Sequence, residues 1–350
     1  MSSARPAPSG AAPHTASPPS LDLESARTRE TLFTALAAGS GGAAPTTGGS
    51  AITPGTVVGN YRVIELLATG GMGEVFVGEH IHLGRRVAIK FLHRRLIGDR
   101  DALARFTAEA IATSRIHHPG VIGLIDFGPH EGGAYIVTEL LSGETLTDLL
   151  AREVRLPIAT ALDLGAQLAD ALAAAHRAGV VHRDLKPDNI ALLRDPARRS
   201  GLRAVVLDFG VAKLDEVLGP PHCTQDGNLL GTPLYMAPEQ SQHARAVDHR
   251  SDVYALGCVL YRVLCGDVPF RGTLMQILMA HQRLAPRPPR AVRPDVPPEL
   301  GALVLAMMAK SPAQRPPTMT HVARALEAMA GERPAAARGS WLGRLLARAR

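Results

Sequence analysis

Apolar positions do not recur in the first 56 residues. Stretches such as RPAPSGAAPHTASPPS and AAGSGGAAPTTGGSAITPG hold too few large apolar groups to offset the entropy of ordering, and predict a disordered arm over residues 1–56. Within it LESARTRETLFTALAA has helical spacing, which at this length predicts a transient helix. From Val57 the pattern changes. YRVIELLA, GEVFVGEHI and RRVAIKFL alternate or run apolar with β-branched residues, predicting three strands of an antiparallel meander. RDALARFTAEAIATSRI then reads as a helix, and VIGLIDFG and AYIVTEL as further strands. After LSGETLTDLL the period becomes helical. IATALDLGAQLADALAAAHRAG is amphipathic, SDVYALGCVLYRVLCG is apolar almost throughout and therefore central, and LGALVLAMMAK and MTHVARALEAMA follow. The pattern predicts an α+β chain in two lobes: a small β-rich lobe over about 57–141 with one main helix, and a larger, mainly helical lobe over about 142–330. The chemistry is expected between them.

Composition refines this picture. The chain has 350 residues, 46% of them hydrophobic, enough to bury a sizeable core. Its formal charge is +6, but residues 333–350 carry five arginines and no acid, which leaves about one net positive charge for everything before them. The excess belongs to a basic tail, 331–350, and not to a folded face of the kind that binds nucleic acid, so no nucleic-acid partner is expected. In that tail Trp341, Leu342, Leu345 and Leu346 fall on one helical side. This basic amphipathic stretch suits weak contact with an anionic membrane or a partner groove, and equally suits an unstructured end. Cys223, Cys258 and Cys265 form no C-x-x-C pair, and the last two lie about 10 Å apart along a helix, too far to bridge. A reducing, cytoplasmic compartment is expected. VYALGCVLYRVLC, the best candidate for a membrane span, is broken by Arg262 and falls short of the roughly 18 uninterrupted apolar residues needed.

LLATGGMGEVFVGEH raises the first chemical question. Gly70, Gly71 and Gly73 have phosphate-loop spacing, but Ala68 stands where a G-x-G-x-x-G pattern has its first glycine. The stretch lies between two strands instead of opening a helix, which argues against a dinucleotide-binding turn, and no G-K-[ST] follows, which excludes a P-loop. A hairpin lid over phosphates and a plain turn both remain. VAIK then sets Lys90 in an apolar strand, where its ammonium requires a partner; Glu109 on the next helix is available. His117 and His118, adjacent on a short turn, are read as structural and not as metal ligands, and His80 and His82 as alternating on a solvated strand face.

HRDLKPDN (182–189), DFG (208–210) and GTPLYMAPEQ (231–240) follow in order. With the lid and VAIK, these five motifs resemble the eukaryotic-type Ser/Thr protein kinases, most closely the bacterial branch, over about residues 57–330. The resemblance implies the two-lobed protein kinase fold and transfer of the γ-phosphoryl group of ATP, with Mg²⁺ or Mn²⁺, to Ser/Thr hydroxyls of proteins. It implies that Leu67, Ala68, Thr69, Gly70, Gly71, Met72 and Gly73 form the lid, with Val75 and Ala88 as the roof of the adenine slot and Ala191, smaller than usual, as its floor. Glu139 and Leu141 supply the hinge backbone, and Thr138 guards the back pocket. Lys90, held by Glu109, grips the α and β phosphates; Asn189 and Asp208 hold the metal; Asp184 handles the substrate proton and Lys186 steadies the γ-phosphate. Glu239 is expected to pair with Arg315, and Asp252 to accept from the backbone of His182 and Arg183. Arg183 before the catalytic aspartate implies activation by loop phosphorylation, with Thr224 as acceptor and Thr232 facing the catalytic loop. A kinase-domain dimer is a further possible partner state. Two competing classes are a pseudokinase scaffold, which should lack a chemical residue, and a small-molecule kinase, which generally lacks the GTPLYMAPE segment.

Overall fold

The computed structural model describes residues 52–70, 72–209, 233–241 and 247–331. Residues 1–51 of the arm, Gly71, Gly210, Cys223, Thr224, Thr232 and the tail from 332 lie outside the described residues, and so do the expectations attached to them.

The first lobe is a six-stranded antiparallel sheet of β1 (Val57–Val58), β2 (Tyr61–Thr69), β3 (Gly73–His80), β4 (Arg86–Leu92), β5 (Leu124–His130) and β6 (Gly133–Glu139), ordered β1-β2-β3-β4-β6-β5. The expected meander is β2 to β4, paired antiparallel in sequence order. Alternation along these strands buries Val63, Phe76, Val87, Ile89 and Val137 in one cluster. The opposite side packs on α1 (Arg100–Ser114) through Phe106, Ala102, Ala110, Ala134 and Ile136. Asp99 starts α1 where it does because its carboxylate accepts the N–H groups of Asp101 and Ala102, which have no carbonyl partner in the first turn.

The histidine pattern needs a correction. β3 ends at His80, and His82 lies in the turn beyond it. The ring Nδ1 of His80 accepts the N–H groups of His82 and Leu83, each at 3.3 Å, so His80 closes a hairpin turn and does not share a strand face with His82. His118 is structural as expected, accepting from Gly120 N at 3.0 Å.

The second lobe begins with β7 (Glu144–Thr145), which joins β8 (Ile190–Arg194) and β9 (Leu202–Val206) in a three-stranded sheet. Around it lie α2 (Leu146–Arg152), α3 (Ile158–Arg177), α4 (Arg250–Cys265), α5 (Leu274–Arg283), α6 (Pro289–Val292), α7 (Pro298–Met307) and α8 (Met319–Gly331). α4 is buried at nearly every position and stops at Gly266, whose φ of 84° is the left-handed cap that glycine adopts without strain. α3 has the length and apolar composition of a membrane span, but its apolar positions pack into the lobe core with α4 and α8. A strand signal precedes DFG, where β9 lies, but sequence periodicity did not separate out β7, β8, α2 or α5. Strands of two and five residues are too short to show a period, and α5 leaves Met275 and Met279 exposed.

One buried polar cluster makes the fold sensitive to acid. His281 is 2% exposed; its Nδ1 lies 2.8 Å from the Tyr254 hydroxyl, and Lys310 Nζ donates to that hydroxyl at 3.3 Å. Burial, helped by the Lys310 charge, pushes the imidazole down to about 4. The unfolded chain, with an ordinary value near 6.5, binds the proton first, so stability is lost as pH falls below about 6.5, by about 2 kcal/mol at pH 5. Urea unfolding at pH 7 and 5 is expected to show a shallower pH slope in His281→Gln than in the parent. Equal slopes would remove His281 from this account.

Candidate active site

β4 places Lys90 on the inner face of the sheet, opposite Val75 of β3, where its side chain is 9% exposed. Its Nζ donates to Glu109 Oε1 of α1 at 2.8 Å and lies 3.6 Å from Asp208 Oδ2. Burial works to lower the ammonium, but the Asp208 and Glu109 carboxylates outweigh it and hold Lys90 above the ordinary lysine range. Burial likewise raises the Asp208 carboxyl against the pull of Lys90. Three charged groups from β4, α1 and the segment after β9 thus converge in one water-poor spot.

The loop between α3 and β8 carries the other groups. Arg183 has φ 65°, a left-handed backbone that costs a bulky residue about 1–3 kcal/mol unless its surroundings enforce it. They do: Asp252 Oδ2 accepts from His182 N at 2.9 Å, Asp252 Oδ1 accepts from Arg183 N at 2.8 Å, and Gln240 Nε2 donates to the Arg183 carbonyl at 2.7 Å. The Asp252 carboxylate is in turn 2.7 Å from His176 Nε2. Asp252 was expected from the sequence; Gln240 and His176 were not, because nothing local marks a residue whose partner lies 57 or 76 positions away.

That strained turn aims Asp184 into the cleft. Lys186 Nζ is 3.6 Å from Asp184 Oδ2, and Asn189 Nδ2 donates to the Asp184 carbonyl at 2.9 Å and to its Oδ2 at 3.3 Å. Asn189 is 1% exposed, yet its Oδ1 has no hydrogen-bond partner. A buried orphan acceptor is costly, and together with the carboxylate of Asp208 it supplies the hard oxygen donors that a divalent cation takes when phosphates complete its shell. The donor set fits such a cation.

Above the cleft, Val75, Ala88, Leu141 and Ala191 pack in one apolar cluster with Val205, Leu207 and Ile122, bordered by Leu67 and Ala68. Roof and floor, as inferred from the motifs, are one surface. The cleft runs past Thr138 to Glu109, Ala110, Thr113, Ile122, Leu124 and Ile136. Leu207, Ala110, Thr113, Ile122, Leu124 and Ile136 were missed by the motif reading, although Ala110 and Thr113, one and four positions after Glu109, follow from helix geometry. Glu139 uses its N–H on the Gly123 carbonyl at 3.1 Å, so its hinge role rests on its carbonyl.

In the lid, Gly70 donates its N–H to the Gly73 carbonyl at 2.8 Å, and Met72 accepts from His93 N at 2.9 Å. The Gly70 N–H is therefore engaged within the loop, which modifies the expectation that it covers phosphates. A Cβ at Gly73 would meet the Phe91 carbonyl oxygen at 2.1 Å, so glycine is required there by the neighbouring strand alone. Ala68 sits in β2 paired with Val75, and Glu131 and Arg183 are the positive-φ non-glycine residues among those described, so alanine costs little at this position. Ala68→Gly is expected to change phosphoryl-transfer kcat/KM by less than about tenfold, one decade corresponding to about 1.4 kcal/mol. A far larger change in steady-state assays would make the lid the controlling element.

Below the cleft, Arg315 forks onto Glu239, Nη1 to Oε1 at 2.6 Å and Nη2 to Oε2 at 2.8 Å, as the motifs implied.

Residues 61–326 match the model of the protein kinase domain. The chain is 39% identical over 283 residues to the serine/threonine-protein kinase pkn3 of Myxococcus xanthus, covering 79% of this chain and 51% of that protein. It is 42% identical over 273 residues to pkn2 of the same organism, covering 77% and 32%. With PknA of Mycobacterium tuberculosis the figures are 38% over 286 residues, 80% and 63%. The chain thus spans about half the length, or less, of the Myxococcus relatives. The crystal structure of the Mycobacterium tuberculosis PknI kinase domain superposes with a TM-score of 0.62 at 27% identity, covering 80% of this chain and 99% of that one. With a β-rich lobe, a helical lobe and the Lys90, Asp184, Asn189 and Asp208 groups converging between them, the chain belongs to the protein kinase domain family.

Proposed function

We propose that this protein is a Ser/Thr protein kinase that uses ATP and Mg²⁺ and modifies hydroxyls of protein substrates, itself included. The observation that carries the reading is the assembled Lys90–Glu109 pair facing Asp208, with every chemical residue of the family in place. A scaffold that had given up catalysis has no need to keep an orphaned Asn189 Oδ1 or a backbone strained at Arg183.

In this reading the substrate hydroxyl oxygen attacks the γ-phosphorus, the bond from that phosphorus to the bridging oxygen breaks, and ADP leaves with the electron pair. Asp184 orients the hydroxyl and accepts its proton. Lys186 faces the transferred group, and Lys90 binds the α and β phosphates. Asn189 and Asp208 would hold Mg²⁺, which supplies neutralisation of phosphate charge when bound. The apolar slot of Val75, Ala88 and Ala191 takes the adenine and keeps water from the chemistry.

Arg183 supports regulation by phosphorylation of the segment that includes Thr224. Its Nε is buried without a hydrogen-bond partner, and burial lowers its basicity against the pull of Asp252, so an anion placed beside it gains a charge-assisted contact. The free, buried thiols of Cys258 and Cys265 suit a reducing cytoplasm. Incubation with labelled ATP and Mg²⁺ and a generic acceptor protein, followed by phosphoamino-acid analysis, is expected to give phosphoserine or phosphothreonine. ATP binding with no transfer to itself or the acceptor would leave the scaffold reading.

A further inference from the structure

The peptide that leads into Asp184 is held from a distant segment. Arg183, with its φ of 65°, is pinned on the N-terminal side by Asp252, which accepts from His182 N and Arg183 N. On the C-terminal side lies the peptide joining Arg183 to Asp184, and both of its polar groups are gripped. The N–H of Asp184 donates to His182 Nδ1 at 3.2 Å, and the Arg183 carbonyl accepts from Gln240 Nε2 at 2.7 Å. Peptide planes are rigid, so tilting this one turns the backbone of residue 184 and re-aims its carboxylate. His182 belongs to the same loop and moves with it, whereas Gln240 reaches in from 57 positions away.

Gln240 is built as a fixed arm. Its Oε1 accepts from Ala237 N at 3.0 Å and its own N–H donates to the Ala237 carbonyl at 3.1 Å, so the side chain folds back over the start of the Pro238–Ser241 turn. Glutamine and glutamate both cap the first N–H of a helical turn in this way. Since an N–H can only donate and a carbonyl can only accept, the amide has one workable orientation, with Oε1 on Ala237 and Nε2 on Arg183. The residues on either side are anchored as well: Glu239 takes the fork of Arg315, and Ser241 Oγ accepts from Gln282 Nε2 of α5 at 2.9 Å. The turn is the fixed end and the catalytic loop the held one. Capping and holding are also separable. A glutamate at 240 could still accept from Ala237 N, but its second oxygen would face the Arg183 carbonyl, acceptor against acceptor.

We propose that Gln240 is a positioning residue for phosphoryl transfer, fixing the peptide that enters Asp184 and so making the aim of that carboxylate depend on the seating of the Pro238–Ser241 turn. The inference rests on the kinase reading above and adds to it a residue that acts through Asp184 and not on the reacting atoms.

The experiment uses the full chain with labelled ATP, Mg²⁺ and a generic acceptor protein, and urea unfolding alongside. A misplacement of about 1 Å can cost on the order of 10²-fold in rate, so losing one of several grips on the loop is expected to cost about tenfold. Gln240→Glu should show that fall in kcat, with KM for ATP within about twofold and a urea midpoint equal to the parent's. Gln240→Met, neutral and of similar length, forfeits both side-chain bonds and should show the same fall in kcat together with a lower midpoint. A merely structural Gln240 would leave Gln240→Glu as active as the parent, and that result overturns the proposal. A fall confined to Gln240→Glu overturns it too, because the added charge and not the lost hydrogen bond would then be the cause. A rise in KM for ATP at unchanged kcat would assign Gln240 to nucleotide binding and has the same consequence. A parent that binds ATP and transfers no phosphoryl group fails the kinase reading and this inference with it, whereas an active parent with unaltered variants fails the positioning role alone.

Discussion

Asp184→Asn is expected to lower kcat for phosphoryl transfer by about 10³-fold, within the 10²–10⁴ range of a positioned acid–base group, while ATP affinity stays within about threefold. The expectation follows from what the side chain touches. Lys186 lies 3.6 Å from Asp184 Oδ2 and Asn189 donates to it at 3.3 Å, so both neighbours reach the same oxygen. An asparagine retains the shape and leaves the Asn189 bond to the residue 184 carbonyl intact. What it loses is the ability to accept a proton and the charge opposite Lys186. The nucleotide is held elsewhere, by the apolar slot and Lys90, so titration of a fluorescent ATP analogue should barely change. A parallel loss of ATP binding would mean that Asp184 organises the site instead of handling the proton, and a kcat within tenfold of the parent would remove it from the mechanism.

The split between these two roles also explains what could be read from the sequence. Groups that do chemistry are crowded into short motifs because one tight turn must deliver them: Asp184, Lys186 and Asn189 span six positions, and their mutual geometry is fixed locally by the 3₁₀ turn Pro187–Asn189. Lys90 and Glu109 were legible for a different reason, since a cation in an apolar strand demands a partner. Contacts that join distant segments left no local mark. Gln240 reaching the Arg183 carbonyl, His176 beneath Asp252, and Leu207 in the adenine slot became visible only when the fold brought them together. The glycine loop is a different case. Its spacing left a phosphate lid and a plain turn both open, and the structure adds a steric reason that spacing did not carry: Gly73 is demanded by the Phe91 carbonyl, while Ala68 sits in ordinary strand backbone. As a sheet, β7–β8–β9 was not legible beyond the strand signal before DFG, because its strands carry almost no repeat, although it positions both Asn189 and Asp208 at the ends of β8 and β9.

The largest stability effect is expected at Arg315. Its side chain is fully buried, and each part of its guanidinium is engaged: Nε donates to the Ala309 carbonyl at 2.8 Å, Nη1 to Glu239 and to the Arg250 carbonyl at 2.9 Å, and Nη2 to Glu239 and to the Lys310 carbonyl at 3.0 Å. The guanidinium also lies 4.9 Å from the centroid of the Tyr254 ring. One residue therefore ties the Pro238–Ser241 turn, the start of α4 and the loop after α7 together. Arg315→Ala leaves the Glu239 carboxylate and three carbonyls without their donors, and removing one member of such a buried pair costs about 3–5 kcal/mol. In urea unfolding the midpoint should fall with little change in slope, the signature of lost stability without a changed unfolded state. Arg315→Lys should recover less than half of the loss, because an ammonium has three donors in a different geometry and cannot fork onto Glu239. The Arg315→Met, Glu239→Met double variant should be more stable than Arg315→Ala alone, since it leaves no unpaired buried carboxylate. A midpoint for Arg315→Ala within about 1 kcal/mol of the parent, the value of an exposed pair, would show that the pair is solvated in solution and that the Pro238–Ser241 turn is anchored by its apolar contacts instead.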